Sequence, residues 1–143
     1  MCLIVKEGCK IEIAEKDITT YKCINEYENY WTGVLYRSPS FAYNKLQKAK
    51  HLCLLDTYAD IDHLQIERFG NGIIIDEGFH SLINKDSHFL INFFDAFKKA
   101  ICIIPKGSEY CFGKDDEVVS DQIIVFKTKE DYDRYIAPKI SSN

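Results

Sequence analysis

The sequence predicts an α+β fold: one domain over residues 1–143 with a mostly antiparallel, curved sheet, packed by one main helix plus a short C-terminal helix. Two observations carry this expectation. Short apolar or alternating runs rich in β-branched and aromatic residues recur along the chain, and such residues suit a pleated, half-buried surface. Among them stands one stretch, 87–99, in which Leu90, Phe93, Phe94 and Phe97 fall on a single helical face.

The N-terminal third offers strands over 2–5, 11–14, 19–24 and 30–36, joined by Gly8 and by the polar cluster 25–29, read as an exposed loop. Between 38 and 66 neither helical nor strand periodicity is clean, and 52–55 is a brief apolar run. Segments 64–69 and 72–75 flank Gly70-Asn71-Gly72, whose tolerance of positive φ suits a hairpin turn. The main helix then starts at Asp86 or Ser87, placed to cap free backbone amides, and Lys98 and Lys99 complement the negative end of its dipole.

A strand over 101–104 meets a Pro105/Gly107 corner, a second short strand follows, and an acidic loop over 113–117 leads to a returning strand at 122–126. Thr128 with Asp131 resembles a capping arrangement for a terminal helix over 129–137, closed by Pro138, and the tail 140–143 is expected to fray.

At 143 residues the chain buries about two-thirds of its unfolded surface, enough for a core without staples. Hydrophobic content of 46% with 13% aromatic residues argues against disorder. The formal charge of −4, with scattered Lys and Arg, disfavours duplex nucleic acid as a partner. The six cysteines lack an export signal before them, and the first apolar run is too short to span a membrane. Cytoplasmic residence with free thiols is the expectation. No Cys-x-x-Cys pair or His-Glu-x-x-His spacing occurs, so neither a metal nor a cofactor is expected.

Candidate chemistry is sparse. Cys2 is one candidate: with Met1 removed, its thiol stands beside a free α-amine able to act as its base. In Glu77-Gly78-Phe79-His80-Ser81, Gly78 permits a tight corner that aims His80 into a cleft. The plainer reading is a histidine satisfied at a strand-to-helix junction, with Ser81 a local turn residue. Tyr36-Arg37-Ser38-Pro39 places a planar cation beside an aromatic ring at a strand end, a pair suited to phosphate and nucleobase contacts. Lys22 and Lys106 add positive charge to such a pocket, or are ordinary solvated lysines.

Three resemblances follow from these residues. The Met-Cys start opening a strand resembles the N-terminal nucleophile hydrolases and glutamine-dependent amidotransferases, which implies amidohydrolase-like chemistry at Cys2. The order of Met-Cys-Leu, Ile-Thr-Thr-Tyr-Lys, Ser38-Pro39, Gly78-Phe79-His80-Ser81 and Cys102 to Tyr110 resembles a family of short uncharacterised proteins of intestinal bacteria and their phages. That resemblance implies no activity. Leu35-Tyr36-Arg37 and Ile104-Pro105-Lys106-Gly107 resemble the ADP-ribosyltransferases, where a Tyr-Arg strand end binds the dinucleotide and a Pro-x-Gly segment lies near a catalytic glutamate. Here no glutamate precedes the segment and Glu109 follows it, which implies a nucleotide pocket with degenerate transfer chemistry.

With no complete catalytic set, the sequence favours a cytosolic, non-enzymatic binding module over an enzyme. The expected ligand is small and nucleotide-like, lined by Tyr36, Arg37, His80 and Lys106, in a phage- or mobile-element-linked accessory protein. The enzyme reading uses Cys2, or the degenerate transferase site. A third reading is a structural or protein-interaction domain, a homodimer through an exposed sheet edge.

Overall fold

Alternation of side chains across a pleated backbone organises most of this chain into strands. The computed structural model describes residues 3–4, 11–33, 39–49, 52, 54–55, 73–74, 78–85, 97–113 and 116–141. In chain order the strands are β1 (Leu3–Ile4), β2 (Glu12–Ile13), β3 (Ile18–Glu26), β4 (Tyr30–Gly33), β5 (Ser40–Ala42), β6 (Leu46–Lys48) and β7 (Leu54–Leu55). Then come β8 (Ile73–Ile74), β9 (Phe79–Leu82), β10 (Lys98–Ile104), β11 (Glu109–Phe112), β12 (Glu117–Ser120) and β13 (Gln122–Val125), followed by the helix α1 (Lys129–Ser141). Strand pairing among the described residues is antiparallel, which bears out the expected antiparallel pairing, and α1 is the one helix among them.

β3 sits at the centre of the larger sheet. β10 pairs along it from Lys98↔Ile24 to Ile104↔Ile18. Its other edge is shared: β9 meets it at Tyr21↔Leu82, and β4 takes over from Ile24 to Glu26. Only Asp121 separates β12, which pairs with β11 and β9, from β13, which pairs with β10 and β6. That single residue changes the phase of the chain. Ser120 lies opposite Phe79, a member of the inner core, yet Ile123 and Val125 rather than Ile124 continue that core beyond the break. A one-residue interruption in a period-two pattern carries the following side chains to the other face and bends the strand. Pairings therefore run from β3 through β10 and β13, across Asp121 to β12, then through β9 back to β3, and the sheet curls.

The concave side holds Ile24, Trp31, Tyr43, Phe79, Ala100, Cys102, Ile123 and Val125. Trp31 stacks on Phe41 at 4.6 Å between ring centroids, and Phe41 meets Phe79 edge-on at 5.4 Å. On the convex side Ile103, Ile124 and Phe126 receive Tyr132, Tyr135 and Ile136 of α1. The helix is fixed at its start as the sequence predicts: Thr128 Oγ1 accepts the Asp131 amide at 3.1 Å. Asn44, whose φ of 60° lies in the left-handed region, donates to the Asp131 carboxylate at 3.2 Å and holds its pKa below the ordinary value.

The corner after β10 is a tight turn in which the Ser108 amide donates to Pro105 O at 3.1 Å and Gly107 takes a φ of 90°. This is the conformation only glycine adopts without strain. Gly78 is required for a different reason from the one its sequence context suggests. A Cβ there would lie 2.7 Å from Leu52 Cδ2, 2.7 Å from Val119 Cγ2 and 2.8 Å from Ser120 O, so close packing, not a corner, excludes a side chain.

The sequence predicts a main helix over 87–99, but Lys98 and Lys99 open β10, and residues 86–96 lie outside the described residues. Both lysines have partners on β3 that favour the strand: Lys98 pairs with Glu26, and Lys99 lies 5.9 Å over the Tyr21 ring. Asn25 and Glu26 belong to β3 rather than a loop, and Glu117 opens β12 rather than ending one. Pro138 sits inside α1, which continues to Ser141, because its ring removes one backbone bond near the helix end without stopping the turn. Both edges of β8 are occupied, by β1 and β7, and the hairpin expected between 64–69 and 72–75 rests on residues that lie outside the described ones.

Candidate functional site

Where β3 passes from β9 to β4, its edge opens, and a cation fills the gap. Lys22 Nζ donates to the His80 carbonyl at 2.6 Å. The alternation of β3 puts Lys22 on the same face as Thr20 and Ile24, both fully buried, so its stem crosses the inner side of the sheet before its ammonium reaches β9.

Three buried hydroxyls share this face. Thr20 lies directly opposite Cys102, an inner-core residue. Ser81 alternates with Phe79 on β9, and Ser120 lies opposite Phe79 on β12. Register from Tyr21↔Leu82 places Ser81 next to Lys22 across the strand pair. The exposures of Thr20, Ser81 and Ser120 are 0%, 4% and 0%, and none of their hydroxyl oxygens has a hydrogen-bond partner within the protein. Buried hydroxyls are ordinarily satisfied, because desolvating one without compensation costs about 1–3 kcal/mol. A strip of three such groups beside an ammonium is suited chemically to anionic oxygens.

Cys102 borders the strip but stays protonated. Burial pushes its thiol up to about 12, opposed by the charge of Lys22, and its Sγ leans on Ala100 O at 3.7 Å. Burial also raises the Cys23 thiol, against the pull of Lys22 and Lys99. Cys23, Cys102 and Cys111 are free thiols.

The sequence-derived candidates do not converge among the described residues. His80 occupies the middle of β9 opposite Val119, so its ring projects to the face away from the hydroxyl strip, and its carbonyl rather than its imidazole meets Lys22. Lys106 is exposed at the Pro105 corner beyond the Ile18 end of β3, its amide donating to Asp17 Oδ1 at 2.8 Å. Tyr36, Arg37 and Cys2 lie outside the described residues. The charge of Lys22 is legible in the sequence, whereas Thr20 and Ser120 carry no local mark of a site, and Ser81 lies within β9 rather than in the turn its sequence context suggests. The alternation Thr20, Lys22, Ile24 is the sequence signal for the first.

A second titratable feature lies at the strand break. Asp121 Oδ1 accepts the Glu109 amide at 2.9 Å, and the Asp121 amide donates to Glu109 O at 3.1 Å. Burial, first, and the Glu109 charge raise the Asp121 carboxyl above its ordinary 3.8, against the amide bond that lowers it. A raised folded-state pKa means the folded protein holds this proton more tightly than the unfolded chain. The contribution is complete below 3.8 and is lost as pH rises through the folded value. Asp121→Asn keeps an acceptor for the Glu109 amide and should stabilise the protein at neutral pH, the gain disappearing below 3.8. Urea unfolding of both proteins at the two pH values checks this; equal stability at neutral pH contradicts it.

Compared with family models, curated proteins and solved structures, the chain has no match. No described helix is long and apolar enough to cross a membrane, and no group of three or more metal-ligating side chains occurs among the described residues.

Proposed function

We propose that this chain is a non-enzymatic binding module that captures a small nucleotide-like anion on the inner face of its curled sheet. Thr20, Ser81 and Ser120 supply hydroxyls to the phosphate oxygens and Lys22 supplies positive charge. The supporting observation is the set of three buried hydroxyls, on one face, without partners in the protein. Cytoplasmic residence and a phage- or mobile-element-linked role belong to the same proposal and rest on the free thiols and on the resemblance of the sequence motifs.

Thermal-shift measurements with ADP test the reading. A ligand that binds only the folded state stabilises it by about 2.7 kcal/mol at a hundredfold excess over Kd. Ser81→Ala removes a hydroxyl that has no protein partner, so the free variant should melt at or above the wild-type temperature. Its ADP-induced shift should fall, because the same hydroxyl is required in the complex. Absence of any shift for the wild type, or an undiminished shift in Ser81→Ala, contradicts the proposal.

A further inference from the structure

The indole of Trp31 is fully buried on the concave side of the sheet, and its Nε1 has no hydrogen-bond partner within the protein. An indole nitrogen donates and cannot accept. Whatever satisfies it must therefore bring an acceptor, and the hydroxyl strip is too far along the sheet to supply one. Trp31 lies opposite Glu26 on β3, four positions beyond Lys22 and so about 13 Å from it along the strand.

Between these two ends the concave face is floored by small residues. Ala100 lies opposite Lys22 on one side of β3, and Gly33 lies opposite Ile24 on the other. A glycine inside a strand often marks a place where a ligand or another backbone comes close, and here β4 sets no side chain beside Ile24. Aromatic rings accompany the same path. Trp31 stacks on Phe41, Phe41 meets Phe79, and Phe79 alternates with Ser81 on β9.

We infer that the Trp31 end receives the nucleobase of the ligand, a ring nitrogen or exocyclic oxygen of the base accepting from Nε1 while the phosphates lie on the hydroxyl strip. This assignment rests on the nucleotide reading of that strip and extends it to the other end of the molecule. An extended nucleotide has the reach to span the two ends, whereas inorganic phosphate or pyrophosphate leaves the indole N–H unsatisfied. The base contact makes the module selective for nucleotides over other small phosphates, because a buried donor left unpaired in the complex costs affinity.

The chain holds a single tryptophan, so its indole N–H gives one unambiguous resonance in nitrogen-15-labelled protein. Titration with ADP and, separately, with inorganic pyrophosphate reads the two ends independently. Both ligands should raise the melting temperature, ADP the more, and only ADP should move the indole resonance saturably. Trp31→Phe keeps a ring against Phe41 and should weaken ADP about tenfold, the worth of one buried hydrogen bond, narrowing the ratio of the ADP and pyrophosphate affinities. If both ligands bind but the indole resonance stays still with ADP, or moves equally with pyrophosphate, the base assignment is overturned while the phosphate site stands. An unchanged affinity ratio in Trp31→Phe also overturns it. If neither ligand binds, the base assignment falls together with the phosphate site.

Discussion

Trp31→Ala should cost about 3–5 kcal/mol of folding stability, among the largest effects of any single truncation in this chain. The indole is fully buried, lies opposite Phe41 in the β4–β5 pairing and stacks on its ring, while Phe41 in turn contacts Phe79 on β9. Removing it leaves a cavity at the junction of three strands that the sheet cannot close by small shifts. Trp31→Phe should be far milder. Its ring still reaches Phe41, and it eliminates an indole N–H that is buried without a partner. Urea unfolding followed by circular dichroism distinguishes the two; equal losses would mean that the aromatic stack carries little of the stability.

Gly78→Ala should destabilise by about 1–3 kcal/mol through overpacking. Its added methyl meets Leu52, Val119 and the Ser120 carbonyl simultaneously. Side chains can turn away, but the Ser120 carbonyl is part of the backbone of β12. Adding Val119→Ala to Gly78→Ala should therefore recover only part of the loss. Full recovery would show that the backbone contact is not limiting. The position also bears on the proposed site, since Gly78 lets β9 lie close to β12 and so brings Ser81 and Ser120 onto one continuous face.

The sequence showed much of this sheet directly. Thr19 to Ile24, Ile101 to Ile104 and Gln122 to Val125 carry enough β-branched and apolar residues to be read as strands, and the Thr128 cap and Gly107 corner follow from local backbone rules. What was hidden depends on partners distant in sequence. Lys98 and Lys99 resemble a helix end until Glu26 and Tyr21 are known to lie across from them. Glu117 to Ser120 looks like the end of a loop because Asp121 interrupts the run, and only the pairings to β9 and β11 reveal a buried strand there.

The hydroxyl strip was hidden for the same reason. Serine and threonine are common turn residues, and nothing local to Ser81 or Ser120 indicates burial. Their common face is defined by the register of β9 against β12, and their relation to Lys22 by the single contact between β9 and β3. His80 and Lys106, residue types that carry chemistry, are separated by the same architecture.

The most direct test of the inner-face site is a titration of isotopically labelled protein with ADP, followed by backbone amide chemical shifts. The proposal predicts saturable changes concentrated at Thr20, Lys22, Ser81 and Ser120, reduced in Lys22→Met. Changes confined to other parts of the sheet, or no saturable change at all, would contradict it.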